Sequence, residues 1–347
     1  CDYRTGVGFG TAVLNPFKAR NFTGVLDAGE ELLPGLKAKI RGAGGLIRIL
    51  PYRVALGIVW CMGMASLPFL GRLMRRSQTR LRQVFGSRFT DREIARIARR
   101  AWRNLCFHAV ETFLVPSMTA DWVRRVADHK DMHVVLDNMK DGKGVVLAVP
   151  HMGNWEFAGV GAQLLGLKIV TVVRRQRNPL LDAYLNKMRE HTGMEAILRD
   201  AHSFVKIARG LKAGKVLAIL PDLRAKADSL PIHFLGATAH IPAGMAAFAR
   251  QAGVPIIPAF ARRIGWSRHE WKAFEPVWPD PALDEREDWK RMTQYVMDCF
   301  DHAIREYPEQ YFWFNSRWVL GEEKTEIRGQ KSEVSRTNAG RPPPADR

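Results

Sequence analysis

The stretch GVVLAVPHMGNWEFAGVGAQLLG, from Gly144 to Gly166, decides the fold of this 347-residue chain. Its first part, Val145 to Val149, is a short apolar run bounded by glycine and proline. Such a run is typical of a strand that is buried on both faces of a parallel sheet. Asn154 then has the character of an N-cap for a helix that begins at Trp155. The stretch therefore predicts a strand, a turn and a helix of an α/β fold.

Two side chains of this stretch have the chemistry of a catalytic pair. His151 lies in the predicted turn and Glu156 in the first helical turn, and ligands of open α/β sheets bind at the carboxyl ends of the strands. The spacing alone is weak evidence, because a chain with 10 His and 35 acidic residues contains such a pair by chance. The position at the end of a buried strand favours a functional site. The alternative is a capping carboxylate beside a structural histidine.

After this stretch, apolar strand patterns alternate with amphipathic helix patterns. The alternation predicts a largely parallel central sheet with helices on both faces, formed by residues 141–320. A further edge strand is predicted in WKAFEPV, and Asn178-Pro179 is predicted to open a helix. The other predicted strands are Leu167–Arg174, Glu195–Leu198, Lys215–Asp222 and Val254–Arg263, and the other predicted helices are His202–Gly214 and Arg286–Tyr307.

The N-terminal part has a different character. Residues 1–45 are predicted to be a poorly ordered leader, and residues 46–140 an apolar anchor with an arginine-rich helical segment. Val54–Gly71 contains no charge and reaches the lower limit of a membrane-spanning helix, although a buried core helix passes the same test. Arginines follow it closely, at positions 72, 75, 76, 80, 82, 88, 92, 96, 99, 100 and 103. This order favours a helix that associates with an anionic cytoplasmic leaflet.

Within that segment, Thr90 and Glu93 form a predicted capping box that opens the arginine-rich helix. At the other end of the chain, residues 321–347 are predicted to be a disordered tail.

The overall charge requires an explanation. The chain has 53 Lys and Arg against 35 Asp and Glu, a net charge of +18. This excess implies an anionic partner: nucleic acid, an anionic membrane, a phosphorylated substrate or an acidic carrier protein. The four cysteines are scattered without CxxC spacing, which indicates a reducing compartment. His233 and His240 lie in a predicted loop without a second ligand at metal spacing, so we predict no metal site.

The order of motifs resembles the bacterial lipid A biosynthesis acyltransferases, the lauroyl and myristoyl transferases within the wider glycerolipid and lysophospholipid acyltransferase-like group. The resemblance covers roughly Ile47 to Leu320, and its most specific part is Pro221 to Phe260. This chain departs from the family pattern at two places, which bear on the acceptor more than on the reaction. Where the family usually has an Asp-Gln pair, this chain has Asp222-Leu223. Where the family usually has a basic residue or histidine after PEQYFW, this chain has Phe314-Asn315. The motifs are HMGNWE, VVRRQRNPLLD, PDLRAKADSLPIHFLGATAHIPAGMAAFARQAGVPIIPAF and PEQYFWFNSRW.

The resemblance implies a glycerolipid acyltransferase-like fold and a catalytic role for His151. The histidine would act as general base on an acceptor hydroxyl that attacks an acyl thioester, and Glu156 would hold the imidazole tautomer. The backbone N–H of Gly153 would bind the oxyanion. The remaining predicted substrate-binding residues are Asn154, Arg174, Arg175 and Asp222.

Each of these substrate-binding roles has an alternative. Arg174 and Arg175 would contact a substrate phosphate or the carrier, or else only solvate a loop. Asp222 would hold the first of these arginines or the acceptor sugar, or else only form a turn after proline.

These implications predict a membrane-associated O-acyltransferase at the cytoplasmic face of the bacterial inner membrane. It would transfer a fatty acyl chain from acyl carrier protein or coenzyme A, without a further cofactor, to a hydroxyl of an anionic glycolipid. A lipid A precursor is the first candidate acceptor, and a lysophospholipid or a phosphatidylinositol mannoside is the alternative. A nucleic-acid-binding protein would explain the charge but not the apolar segment, and the sequence has no nucleic-acid module. A serine hydrolase is disfavoured because the Gly-x-Ser-x-Gly elbow is missing.

Overall fold

A computed structural model describes residues 47, 49–173, 191–198, 203–225 and 229–321. The helices are α1 (Tyr52–Ser66), α2 (Gly71–Phe85), α3 (Asp91–Leu114), α4 (Ala120–Val126), α5 (Met132–Asp137), α6 (Trp155–Leu164), α7 (Ser203–Lys212), α8 (Gly244–Ala252) and α9 (Glu285–Glu306). The strands are β1 (Ala127–Asp128), β2 (Val146–Ala148), β3 (Ile169–Val173), β4 (Glu195–Leu198), β5 (Val216–Ile219), β6 (Ser229–Phe234), β7 (Ala237–Pro242), β8 (Ile256–Ile264) and β9 (Arg268–Ala273). The helix predicted at Asn178-Pro179 lies outside the described residues.

The central sheet has seven strands in the order β1-β9-β8-β2-β5-β3-β4. All neighbours in it pair in parallel except β8 and β9, which pair antiparallel. The prediction of a largely parallel sheet is therefore confirmed. The prediction that WKAFEPV is an edge strand is wrong, because β9 lies between β8 and the two-residue strand β1.

Strands β6 and β7 form a separate antiparallel hairpin. His233 and His240 lie on these strands, so their assignment to a loop is wrong. The two residues between the strands, Leu235 and Gly236, both have positive φ, at 54° and 85°. A two-residue hairpin loop often needs positive φ at both positions, and glycine or asparagine usually supplies it. A leucine in the first position concealed the hairpin in the sequence.

Helices cover both faces of the sheet, as predicted. Neighbouring residues at the start of β2 belong to different hydrophobic clusters. Val146 shares one cluster with residues of α7, α8 and α9, and Val145, just before β2, shares the other with residues of α4 and α6. The N-terminal helices take part in both clusters, since Trp102 of α3 belongs to the first and Phe107 of α3 to the second. The strands are therefore apolar for the reason that was expected: both of their faces are buried.

The apolar N-terminal segment forms α1 and the short helical turn Leu67–Leu70. Together with α2 it is long and apolar enough to cross a membrane, and 22% of the apolar part is buried in the protein. The buried side rests on α3, where Trp102 Nε1 donates to the carbonyl of Gly63 at 3.0 Å. The other side is open: Phe69 is 88% and Met62 66% exposed. The segment thus has one face on the protein and one free apolar face.

The arginine-rich segment contains one exception to its exposed character. The capping box predicted at Thr90 and Glu93 is confirmed, and most arginines of α2 and α3 are exposed. Arg80, however, is 1% exposed. Its Nη1 donates to the carbonyls of Trp313 at 2.7 Å and Asn315 at 2.6 Å. Arg80 therefore anchors residues 308–318, which we call the closing segment, against α2.

Candidate active site

The site begins with two neighbouring parallel strands that end alike. In β2 and β5, Ala148 is paired with Ile219, and each strand continues through an apolar residue and a proline before His151 or Asp222. The equal offsets bring these two side chains together. The Nδ1 atom of His151 lies 2.7 Å from Oδ1 of Asp222, and the His151 backbone N–H donates to Oδ2 at 2.8 Å.

The environment of this pair fixes the imidazole. The Asp222 side chain is fully buried and that of His151 is 8% exposed. Because a carboxylate only accepts hydrogen bonds, the neutral imidazole carries its proton on Nδ1 and its lone pair on Nε2. The hydroxyl of Tyr311 in the closing segment also bonds Asp222. Burial, followed by the charge of Asp222, raises the pKa of Tyr311 well above its usual value, so the hydroxyl remains a donor.

Asp222, rather than Glu156, is thus the carboxylate at Nδ1 of His151. This corrects the role predicted for Glu156. Asp222 does more than form a turn after proline, and its predicted contact with Arg174 or the acceptor sugar stays a prediction. Glu156 is 4% exposed in the first turn of α6, where it lines an apolar cavity. Arg174 and Arg175 lie outside the described residues, and their predicted roles stay predictions.

The predicted oxyanion role of Gly153 is wrong. Its N–H donates to the carbonyl of Gln310 in the closing segment at 2.8 Å, so it is already engaged within the protein. Glycine is required here for two reasons. Its φ is +60°, and a Cβ would lie 2.0 Å from the carbonyl oxygen of Ala261. Gly153 therefore lets the turn pass closely over β8.

Asn154 is confirmed as the N-cap of α6, since its Oδ1 accepts the N–H of Phe157 at 2.9 Å. The amide nitrogen Nδ2 donates to Oε2 of Glu111 at 2.5 Å. With 1% exposure and both polar atoms bonded internally, Asn154 holds the turn and does not reach a substrate. We call residues 151–154 the catalytic turn, after the role that is proposed for His151 below.

Known proteins resemble this chain over most of its length. The sequence profile of the bacterial lipid A biosynthesis acyltransferases matches residues 40–319. The chain belongs to this family. Family membership shows that it is an enzyme of the acyltransferase type.

Individual relatives are more distant. A phosphatidylinositol mannoside acyltransferase from Mycolicibacterium smegmatis is 25% identical over 60% of this chain and 68% of its own length. A lipid A biosynthesis acyltransferase from Haemophilus influenzae is 22% identical over 50% of this chain and 53% of its own. The crystal structure of the 1-acyl-sn-glycerophosphate acyltransferase from Thermotoga maritima covers 75% of this chain and 97% of its own, with a TM-score of 0.33 and 15% identity. The chain therefore spans about half to two thirds of the length of its curated relatives.

In this acyltransferase an apolar cavity adjoins the catalytic turn. It lies between α6 and the sheet, with an empty volume of about 930 Å³ including its mouth. Pro150, Met152 and Trp155 line it on either side of His151, and Leu147 and Ala218 form part of the floor on the sheet. Its lining is mostly apolar with few polar groups, as is typical of ligand sites.

A buried ionic cluster, which was not predicted from the sequence, lies on the far side of the turn. Glu111 of α3 is fully buried, and Arg263 donates to both of its carboxylate oxygens at 2.7 and 2.6 Å. Nε2 of His269 lies 3.0 Å from Oε1, and the hydroxyl of Tyr52 in α1 donates to the same oxygen. The partners are distant in sequence, so no local sequence pattern predicts the cluster.

The pKa values describe the charges in this region. Burial alone would raise the pKa of Glu111, but Arg263 and then His269 outweigh it and hold the pKa well below its ordinary value. Burial lowers the pKa of His269 and lowers that of His108 to about 3. The cluster therefore consists of one compensated ion pair, Glu111 with Arg263, surrounded by neutral histidines.

Proposed function

We propose that this acyltransferase moves a fatty acyl chain from an acyl thioester to a hydroxyl group of an anionic glycolipid. The single observation that carries the mechanism is the His151–Asp222 pair at the carboxyl ends of adjacent parallel strands. It presents an imidazole whose Nδ1 is bonded to a buried carboxylate, beside a cavity lined with apolar side chains.

The chemistry follows from the free lone pair on Nε2. An alcohol does not lose its proton unaided at neutral pH, so Nε2 of His151 takes the hydroxyl proton as the oxygen attacks the thioester carbonyl carbon. Asp222 orients the ring and stabilises the imidazolium that forms. When the tetrahedral intermediate collapses, the carbon–sulfur bond breaks and the imidazolium returns the proton to the departing thiolate. The products are an ester and a free thiol.

The apolar cavity suits the acyl chain of this reaction. It adjoins His151 through Pro150, Met152 and Trp155 and continues between α6 and the sheet. Burial of a chain in such a slot contributes about 0.8 kcal/mol per methylene group. The carbonyl carbon of a chain bound there would remain near the catalytic turn, where the acceptor hydroxyl has to meet it.

The apolar face of α1 supports association with a membrane. Met62 of α1 and Phe69 of the adjoining turn Leu67–Leu70 are exposed, and the exposed arginines of α2 and α3 follow directly. We infer that the enzyme works at the cytoplasmic face of the bacterial inner membrane, where an anionic leaflet attracts such arginines. A chain with a net charge of +18 also suits an acidic carrier protein as donor, and coenzyme A is the alternative.

Two acceptors compete. The family profile favours a lipid A precursor, whereas a relative named as a phosphatidylinositol mannoside acyltransferase favours that glycolipid. Both are glycolipids that carry phosphate, which suits a basic enzyme. A lysophospholipid is the remaining alternative.

Lipid mass spectrometry tests this function. Lipids are compared from cells that carry the wild-type gene, the His151→Ala variant or neither. We expect a gain of one acyl group on lipid A with the wild-type gene alone, and a gain on phosphatidylinositol mannoside or phospholipid would select the alternatives. No mass change in any lipid class, or an equal gain with the His151→Ala variant, would contradict the proposal.

A further inference from the structure

The catalytic turn is held from two directions by a single residue, Arg263, at the end of β8. Its guanidinium donates to both carboxylate oxygens of Glu111, and Glu111 also accepts a hydrogen bond from Asn154 of the catalytic turn. Its backbone N–H donates to Oε1 of Gln310 at 3.0 Å, and its carbonyl accepts from Nε2 of Gln310 at 3.1 Å. The carbonyl of Gln310 then accepts from Gly153. Two short chains of hydrogen bonds thus connect β8 to neighbouring residues of the turn.

The cost of this arrangement suggests a function. Burying a carboxylate and a guanidinium is expensive, and well-packed apolar side chains of similar size often stabilise a fold equally well. A buried ion pair is therefore weak evidence for a role in stability. Its charged oxygens, however, form directional bonds stronger than those of neutral groups. In this pair one carboxylate oxygen is directed at Asn154, three residues after His151.

We propose that Glu111 and Arg263 are positioning residues that hold Asn154, and through it the catalytic turn, in the geometry needed for proton transfer by His151. Neither side chain touches the reacting atoms in this account. Their effect is to keep Nε2 of His151 aligned with the acceptor hydroxyl, because a displacement of about 1 Å costs on the order of 10²-fold in rate. This inference rests on the role of His151 in the proposed function.

Asn154→Ser separates this positioning role from helix capping. Serine caps helices about as well as asparagine, but its side chain is too short to keep the bond to Glu111. We expect kcat to fall at least about 10-fold with KM for the acyl donor nearly unchanged, because the apolar cavity is intact. The pH–rate profile should keep its wild-type shape, since Asp222 still holds the imidazole.

Glu111→Gln tests the same link from the other side and needs a matched control. Asp288 of α9 is likewise a fully buried carboxylate with two arginine partners, Arg250 at 2.7 Å and Arg291 at 2.6 Å. Asp288→Asn therefore removes another carboxylate charge that is paired with arginine and makes no contact with the catalytic turn. We expect both variants to lower Tm, but only Glu111→Gln to lower kcat per folded molecule.

The experiment uses the full-length protein in detergent with an acyl-coenzyme A donor, and folded protein is measured by circular dichroism. Wild-type kcat in Asn154→Ser would overturn the inference even if Glu111→Gln does not fold. Equal losses of kcat in Glu111→Gln and Asp288→Asn would overturn it as well, because they would indicate general destabilisation. His151→Ala distinguishes the proposed function from the positioning role. If that variant keeps the wild-type kcat, the proposed function fails. If its kcat falls at least about 10²-fold while Asn154→Ser keeps the wild-type kcat, the positioning role alone is refuted.

Discussion

Replacing Asp222 by asparagine tests whether His151 needs a carboxylate to orient it, because the imidazole itself remains in the protein. The side chain keeps its shape and stays buried, but its negative charge is lost. Two hydrogen bonds are affected, at 2.7 Å to Nδ1 and 2.8 Å to the backbone N–H of His151. An amide NH₂ turned toward Nδ1 would donate to it and move the ring proton to Nε2, which then cannot accept a proton from the substrate.

The size of the effect follows from these bonds. A hydrogen bond to a charged group contributes about 1.5–3 kcal/mol, so the two together account for about 3–6 kcal/mol of stabilisation when the imidazolium forms. At 1.36 kcal/mol per tenfold change, kcat should fall about 10²- to 10⁴-fold. The double variant with His151→Ala should lose little more than His151→Ala, because the carboxylate then has no ring to orient.

The assay measures transfer of a labelled acyl chain from acyl-coenzyme A under saturating donor, with circular dichroism to count folded protein. Glu156→Gln serves as the comparison, since it removes the carboxylate first expected in this role while leaving Asp222 in place. A wild-type kcat for folded Asp222→Asn would refute the reasoning, as would strictly additive losses in the double variant.

Three further predictions concern other parts of the molecule. The folded protein keeps His108 neutral, with its pKa lowered to about 3, and an unfolded histidine binds a proton below about 6.5. His108 therefore contributes stability above pH 6.5 that is lost as the pH falls, about 2 kcal/mol between pH 7 and 5. In His108→Leu, the free energy of unfolding measured by urea titration should fall about 2 kcal/mol less between pH 7 and pH 5 than in the wild type. An equal fall in the two proteins would contradict the assignment. Ala218→Phe should fill part of the cavity and shift the preferred donor to a shorter acyl chain without loss of kcat on that chain, and an unaltered chain-length profile would show that the chain binds elsewhere. Phe69→Asp should release more protein from sedimenting membranes than Leu136→Asp, which alters an exposed leucine of α5, and equal release would contradict membrane contact through the apolar segment formed by α1 and the turn Leu67–Leu70.

The strands and the position of His151 at the end of one of them could be predicted because their causes are local. A short apolar run between glycine and proline identifies β2, and Asn154 announces α6 through its capping chemistry. The pairing of His151 with Asp222 could have been predicted, since both strands are followed by a proline and then a polar residue. It required the knowledge that β2 and β5 are adjacent, and strand order is set by packing across the whole sheet.

The parts that sequence analysis missed depend on contacts between distant residues. Glu111 lies 152 residues from Arg263, and nothing near either residue distinguishes it from a surface charge. Arg80 is surrounded in sequence by exposed arginines, yet it is buried because the closing segment folds back over α2. The hairpin of β6 and β7 was missed for a local reason, the positive φ of Leu235, a conformation that leucine rarely adopts.

The most direct test of the central claim is the rate of acyl transfer by purified His151→Ala. If Nε2 of His151 takes the hydroxyl proton, kcat should fall at least about 10²-fold while binding of the acyl donor and Tm remain close to those of the wild-type enzyme. A folded His151→Ala variant that transfers acyl groups at the wild-type rate would contradict the account.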